Sequence, residues 1–563
     1  MKCFNGNKMV SIGFVAALMF GGEKVNADFT FGEPVNLGSP VNTSQSWQGE
    51  PSVSADGLSL YFASDRPGGS GGSDLWVTTR QKKDDGWATP VNLGPIINSS
   101  AHESSPCIST NCLELYFCSR RSGHWSLYVA KRSTKNDEWN SPSILPTTSG
   151  SGVSRHEWPS ISANGLELYS SAYNYNGQGY YDVFVTKRTS HNDIWGEPLR
   201  LGQNVNSTSL NEITPDISAD GLVLIYSKGH GASTYHLWMT TRKNTSGPWE
   251  PSVNLDAIFG SKGTSTNWNP SISNDGSILY FESDRPGSFG GADIWQVQIE
   301  PVVDINGDGI VDAADLCIVV DYWGTDESLC DIGPMPWGDG VVNVEDMKVL
   351  AKHLFEDYRL IAHWELDETT GNMAYDEIGN NDATVHGEPL WVPDGGKIGG
   401  ALQFDGIDDY VSMPSVLNPG DGSLSVFAWI KGGTPGQAIL SQANSTFGSN
   451  STWLGMDSSD GKLITRLMHP PFPPLESQCI ITDGQWHHVG LVYDRSSLQR
   501  GLYVDGDEVA KDIGPVPAIG SNGNLYIGTD EVLEDTSFFS GLIDDVRIYN
   551  NVLSEEEIAG LAQ

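Results

Sequence analysis

One repeated phrase governs what this chain can fold into. Five copies of a unit begin PSVSADGLSLYFASDRPGG, PCISTNCLELYFCSRRSG, PSISANGLELYSSAYNYNG, PDISADGLVLIYSKGHG and PSISNDGSILYFESDRPGS. Their lead prolines are Pro51, Pro106, Pro159, Pro215 and Pro270, a period of about 55 residues. Each copy continues into a short strand-like run: DLWVTTR, SLYVAKR, DVFVTKR, HLWMTTR and DIWQVQI. Four copies then add a tryptophan and a further run: WATPVNLG, WNSPSILP, WGEPLRLG and WEPSVNLD. The fifth lacks that tail, and a spare copy, FGEPVNLG, stands ahead of the first unit from Phe31.

Four short strands separated by DG, NG and Gly-rich turns, which supply the positive φ of tight hairpins, make one blade. The offset of the spare copy predicts that the first strand completes the last blade and seals a ring. The expected fold is mainly β, with a five-bladed β-propeller over residues 28–301. The phrases SDRPGGSGG and SDRPGSFGG, from Ser64 and Ser283, then read as blade-building turns to which Asp74 and Asp293 bond back. These units resemble the WD40-like propeller repeats of exported bacterial proteins, the type related to the TolB propeller. That resemblance implies a fold and is nearly silent on activity.

Lys2 and Lys8, an apolar run from Met9 to Phe20, and VNA ending at Ala27 read as a secretory leader cut after Ala27. The run is too short to span a bilayer, so the expectation is a secreted, soluble product without membrane insertion. The chain holds 71 Asp+Glu against 32 Lys+Arg, a formal charge of −39. Such a surface repels phosphate backbones and argues against nucleic acid as a partner. It suits bound cations, or simple solubility. Export permits disulfides, with Cys317–Cys330 and one pair among Cys107, Cys112 and Cys118 as possibilities that sequence leaves open.

The segment 303–358 changes texture. From Asp304, DINGDGIVDAADLCIVVDYWG places Asp304, Asn306 and Asp308 at positions 1, 3 and 5 of a calcium loop. Gly309 makes the sharp turn, Ile310 lends a carbonyl, and Asp315 stands at position 12. This small α-helical, EF-hand-like module with Asp at position 12 and a second helix-linked loop resembles a dockerin. That resemblance implies Ca²⁺ as cofactor and a cohesin-like protein as partner. In the second loop Asp339, Val341 and Asp346 fall at positions 5, 7 and 12, while Met335 and Trp337 fall at 1 and 3. Neither of those two coordinates Ca²⁺, although Asp331 could reach in from a longer loop. The hydroxyl pairs beside dockerin loops are replaced by Ala313–Ala314 and Val344–Glu345, so a calcium-clamped spacer stands beside a docking plug.

Residues 360–563 read as short alternating strands with regular turn signals, an all-β sandwich. GGALQFDGIDDYVSMP, SLSVFAWIKGG, GQWHHVGLVYD and FFSGLIDDVRIYNNVLSEEEIAGL resemble the laminin-G-like, concanavalin-type jelly roll. The resemblance implies binding of glycans or proteins, and Ca²⁺ near the sheet rim with Asp405, Asp408 and Asp544 as candidate ligands. Trp429 and Trp486 alternate with apolar neighbours and read as core. Trp391 and Trp453 stand in polar contexts suited to stacking on a sugar ring.

Glycoside hydrolysis needs two opposed carboxylates. The inner strands are preceded by Glu50, Glu103, Glu157 and Glu212, with Asn267 in the fifth unit. A recurring acid reads as a turn cap, but AHESSP and RHEWPS add histidines that break the repeat. His102, Glu103, His156, Glu157 and Glu212 are therefore the catalytic candidates. No Ser–His–Asp elbow, P-loop, dinucleotide fingerprint or HExxH occurs. The expected function is a secreted, non-catalytic carbohydrate-binding or adhesive protein of an extracellular polysaccharide-degrading system. The alternatives are a polysaccharide hydrolase or lyase with its site in the propeller channel, and a protein-binding extracellular scaffold.

Overall fold

The computed structural model describes residues 29–145, 156–173, 181–230, 235–255, 265–289, 291–379, 381–443, 451–467, 473–514 and 523–563. The expected leader lies outside them. Two compact units emerge: one runs through Gly307 and adds Val311–Leu354, the other is Phe355–Gln563 with Asp308–Ile310. The boundary expected near 358–360 thus falls a few residues earlier, where Ile310 bridges to Asp357 and Tyr358 N donates to Gly309 O at 2.8 Å.

The first unit carries five antiparallel sheets, one per repeat. Their inner strands are Gln48–Val53, Glu103–Ile108, His156–Ile161, Asn211–Ile217 and Asn267–Ile272. The fifth sheet takes its outer strands from the N-terminus, with Val35 opposite Gln296, Asn36 opposite Trp295 and Phe29 opposite Pro301. The displaced copy at Phe31 therefore seals the ring, as its offset predicts. Buried apolar side chains of neighbouring blades interlock between sheets, for instance Leu75 and Ile97 with Phe117 and Leu115.

The repeated residues have specific work. Four third strands are followed directly by an arginine whose guanidinium lies 4.3–4.4 Å from the ring of a tryptophan four residues ahead of the fourth strand: Arg80–Trp87, Arg132–Trp139, Arg188–Trp195 and Arg242–Trp249. The same Nε donates to a carbonyl of the first hairpin turn, Gly57, Cys112, Gly165 or Gly221. The SDRPG phrase is likewise scaffold. Asp74 accepts from Ser70 N and Gly71 N, Asp293 accepts from Phe289 N, and Arg66 and Arg285 lie over aromatic rings of their own blades.

The blades are tied to one another along the axis by a closed ring of side chain to backbone bonds. Ser52 Oγ accepts from Ile108 N at 3.1 Å, Cys107 Sγ from Ile161 N at 3.3 Å, and Ser160 Oγ from Ile217 N at 3.1 Å. Asp216 Oδ2 accepts from Ile272 N at 2.7 Å, and Ser271 Oγ closes the circle on Val53 N at 3.2 Å. Each inner strand is bulged beside its lead proline. The residue before that proline is left-handed in all five blades: Glu50, Ser105, Trp158, Thr214 and Asn269, with φ of 50–55°. Such φ values are uncommon outside glycine and persist where surroundings enforce them.

Among the described residues all six cysteines are unpaired. Cys107 serves the axial ring, Cys118 Sγ accepts from Trp158 N at 3.3 Å, and Cys330 packs in a small core with Val319 and Leu350, whereas Cys317 is exposed.

Beyond the propeller, helices α1 (Ala313–Asp321) and α2 (Val344–His353) each begin in a capping box, Asp312 with Asp315 and Asn343 with Asp346. The loop before α2 lays Trp337 on the propeller. Its Nε1 donates to Asp220 Oδ2 at 2.6 Å, and its ring meets Phe29 edge-on at 5.9 Å.

The second unit packs two eight-stranded sheets face to face around one core that includes Trp364, Phe404, Ile430, Leu491 and Ile548. Helix α3 (Glu555–Leu561) covers Phe427, Tyr503 and Tyr549 with Ile558. Trp429 is core as expected and Trp486 is half-buried. Trp453 is fully buried in that core rather than offered to a sugar, because its strand Ser451–Met456 runs inside the second sheet. Trp391 is half-buried with its Nε1 given to Gly371 O.

Two consequences are measurable. Deleting residues 29–36 removes two strands of the fifth blade, and calorimetry should show loss of the cooperative propeller transition; a wild-type transition would refute strand closure. Trp337→Ala should destabilise the propeller unit by about 2 kcal/mol, a half-buried fraction of a tryptophan truncation.

Candidate functional sites

The five catalytic candidates separate once their distance from the lead proline is counted. Glu103 and Glu212 stand three residues before it, Glu157 two and Glu50 one. At the third position the carboxylate folds back on its own loop. Glu103 takes Ser99 N, Ser99 Oγ, Ser119 Oγ and Arg121 Nη2, and Glu212 takes Ser207 Oγ and Lys228 Nζ. His102 is exposed, with Nδ1 on Ser73 N, and His156 meets Ser170 Oγ at 2.9 Å and the edge of Phe184. Burial pushes the His156 imidazole down to about 4, so it is neutral near pH 7. The His–Glu pairs therefore do not converge, and of the five only Glu157 is shifted by the charge of Glu50, which lines the axial cavity.

There Glu157 meets a neighbour that the recurring-acid reading had set aside. Glu50 Oε2 accepts from Ser105 N of the next blade at 2.7 Å. The reason lies in the second strands. Cys118, Ser227 and Glu282 each accept the N–H of a left-handed residue, but the equivalent Ala63 has no acceptor, and Glu50 supplies it instead. Glu282 is buried and takes Trp47 Nε1, Asn269 Nδ2 and Glu50 N. A Cβ on Gly49 would sit 2.0 Å from its Oε2, so glycine is required there. Burial raises the Glu50 carboxyl, and burial with the Glu50 charge pushes Glu157 up to about 7 and Glu282 up to about 8. Glu282 breaks its repeat column, a signal that alignment of the second strands would have exposed.

Along the axis lie two cavities of about 40 and 60 Å³, the first lined by Glu50, Trp158 and the lead prolines, and both by Ser52, Cys107, Asp216 and Ser271 of the hydrogen-bonded ring. That is room for a few waters, far below the roughly 300 Å³ at which small-ligand sites begin.

The two calcium-type loops share one plan. In the first, Asp315 accepts from Ile305 N, Asn306 N and Asp312 N, and Gly307 N donates to Asp304. Asp308 and Ile310 fall in the other compact unit. In the second, Asp346 accepts from Ile332 N, Gly333 N and Asn343 N. By that equivalence Asp331, not Met335, stands at position 1, and residues 334–337 are an insertion. Asp331 is buried and accepts from Asp339 N and Gly340 N, while Val341 N donates to Asp339. Spacing counted back from Asp346 lands on Met335 because the loop is four residues longer, the longer loop from which Asp331 could reach in.

The three jelly-roll acids belong to two places. Asp405 and Asp408 gather with Asp409, all three offering ligand atoms within 4.8 Å of one another, the sole such group among the described residues. Asp544 lies apart. It takes Lys397 N and Ile398 N on Oδ2, while its Oδ1 is buried without a partner. Burial pushes its carboxyl up to about 7, and the charges of Asp545 and Asp367 add to the effect. The glycine loop closes tightly here: a Cβ on Gly399 would lie 2.5 Å from Asp367, and one on Gly396 would lie 2.7 Å from Asp544. An orphaned buried carboxylate oxygen beside a second carboxylate fits a cation, so Asp367 joins Asp544 among the ligand candidates.

Outside the core, strand alternation turns Val385, Val411 and Ile527 inward and sends His386, Tyr410, Ser412 and Tyr526 to the outer face of the second sheet. His386 stacks on Tyr410 at 4.4 Å, Tyr526 and Phe538 flank it at 6.1 and 6.2 Å, and His386 Nε2 meets Ser412 Oγ at 2.8 Å. Tyr410 directly follows the acidic Asp405–Asp409 loop.

Residues 405–559 match the concanavalin A-like lectin/glucanases superfamily. No curated protein matches the chain. Domain 4 of an extracellular arabinanase from Geobacillus stearothermophilus, solved with arabinotriose, is 23% identical over 36% of this chain and 98% of its own, with a TM-score of 0.29. Trypanosoma rangeli sialidase with sialic acid is 14% identical over 93% of this chain and 84% of its own, with a TM-score of 0.33. Among the described residues no helix is long and apolar enough to cross a membrane.

The raised carboxyls set a pH dependence. Asp216, pushed up to about 7 by burial, and Glu157 and Glu282 hold protons in the folded chain that the unfolded chain has released. Stability is then greatest below the unfolded carboxylate values and is lost as pH rises through about 7 to 8. The propeller transition should weaken between pH 5.5 and 8.5 by on the order of 2 kcal/mol, and Asp216→Asn should flatten that slope. A propeller that gains stability over this interval would contradict the burial of these acids.

Proposed function

We propose that this is an exported, calcium-stabilised, non-catalytic carbohydrate-binding protein working beside enzymes that degrade extracellular polysaccharide. The observation that carries the reading is the His386–Tyr410 stack on the outer face of the jelly roll, flanked by Tyr526 and rimmed by polar side chains. Aromatic faces accept the C–H face of a sugar ring, and the hydroxyl and imidazole beside them suit its hydroxyls. The superfamily match over residues 405–559 supports the same reading.

Calcium enters at two kinds of place. Asp405, Asp408 and Asp409 would hold it beside the aromatic face, and Asp367 with Asp544 would hold it under the glycine loop. In the two-helix module Asp304, Asn306 and Asp315 would serve one ion, and Asp331, Asp339 and Asp346 a second. We read that module, dockerin-like in its loops, as a spacer rather than a cohesin plug, because the inserted Trp337 engages the propeller. A hydrolytic or lytic propeller would have to work at the mouth with Glu50 and Glu157, since the axial cavities are too small for a sugar ring.

The test is depletion of the protein from solution by a panel of insoluble and soluble polysaccharides, with released sugar ends measured in the same tubes. Binding without release is expected. Tyr410→Ala should weaken it roughly tenfold while leaving the melting profile intact. Chelation should weaken it too and lower the melting temperature of the jelly-roll transition. Release of sugar ends, or full binding by Tyr410→Ala, would sink the proposal.

A further inference from the structure

The propeller mouth holds an arrangement that the jelly-roll reading does not use. The charge of Glu50 bears on Glu157, and Glu157 Oε1 lies 3.5 Å from Tyr181 OH. The Tyr181 ring meets Trp158 edge-on at 5.5 Å and Tyr173 edge-on at 5.5 Å. Glu50, Glu157, Trp158 and Tyr181 are half-buried and Tyr173 is exposed, so these groups are open to a ligand. The cation that lowers Glu157 is Arg120, which is exposed and lies 5.3 Å over Trp125. No ion pair joins Glu157 or Glu50 to a lysine or arginine among the described residues.

A separate observation marks the place as incomplete. Ser171 sits directly opposite Glu157 in the strand pairing, so the two side chains share a face. It is fully buried, and its Oγ has no partner, although Cys118 and Ser227 at the same repeat position each hold a neighbouring blade. A buried hydroxyl left unpaired opposite a carboxylate without a salt bridge calls for a further polar group.

We propose that this mouth binds the protonated amine of an amino sugar. Two carboxylates under partial burial favour a positive charge over a neutral hydroxyl. Ring faces of Trp158, Tyr181 and Tyr173 favour an ammonium over a hard divalent ion, which would demand six or more oxygens. The sugar ring stacks on the aromatic wall while its amine turns toward Glu157 and Glu50. The axial cavity that Glu50 and Trp158 line admits only water, so the ligand rests outside it, against Glu157, Tyr181 and Tyr173, as a chain end or a pendant residue. The inference stands apart from the jelly-roll reading, since either surface can bind without the other.

The test is calorimetric titration of the full chain with Ca²⁺, using glucosamine trimer, N-acetylglucosamine trimer, cellotriose and trilysine. Glucosamine trimer should bind, and the acetylated and neutral trimers should bind roughly tenfold more weakly or worse. Glu157→Gln should weaken glucosamine trimer by a similar factor, while polysaccharide depletion through Tyr410 stays unchanged. Should Glu157→Gln misfold, Tyr181→Leu removes the ring wall at a half-buried site and should give the same loss. Equal binding of acetylated and free trimers, no binding of any, or unaltered binding by both variants would overturn the proposal. A preference for trilysine would overturn it in favour of a protein partner.

Discussion

The propeller depends on five hydrogen bonds that cross from each inner strand to the next. Sheets that meet only through apolar faces can slide, because that attraction has no direction. The ring from Ser52 through Cys107, Ser160 and Asp216 to Ser271 has direction and a closed count, with one acceptor and one backbone N–H per blade. It also sets the width of the axis. Short side chains bring the strands close, the pre-proline bulges turn backbone N–H groups inward, and what remains is space for water.

That geometry explains which acids are structural and which are exposed to chemistry. Carboxylates three residues before a proline are consumed by their own loops. Those nearer the proline project where the bulge aims them, and Glu50 does so because Ala63 leaves its neighbour's N–H without an acceptor. The same residue is thus a structural clasp and one wall of a binding surface. Its charge raises both Glu157 and Glu282, so a single substitution in the first blade reaches the third and the fifth.

Much of the architecture was legible in the chain. The missing tail of the fifth repeat and the spare FGEPVNLG announced strand exchange, whereas the cation–π pairing of the recurring Arg and Trp came to light only in the structure. The sites were less legible for reasons that can be named. Glu103 and Glu157 both follow a histidine, yet stand three and two residues before the lead proline, so strand alternation points them apart in space. A four-residue insertion put Met335 and Trp337 at the ligand spacing and left Asp331 as a residue that could reach in only from a longer loop. Trp453 stands among polar letters yet lies inside a sheet, because local composition does not report which layer covers a strand. Asp544 and Asp367 are far apart in sequence and are joined only by the glycine loop.

Strand exchange in the fifth blade has a temporal consequence. Phe29–Phe31 and Val35–Asn36 pair with the last propeller strand, Asp293–Pro301. A chain made from its N-terminus must therefore hold these first strands unpaired until Pro301 exists, roughly 15 to 55 seconds at common rates of synthesis. For that interval the earliest edge of the molecule is its most adhesive. A chain that is threaded elsewhere before it closes would turn this delay to advantage, since nothing locks the ring until the last turn of thread has passed.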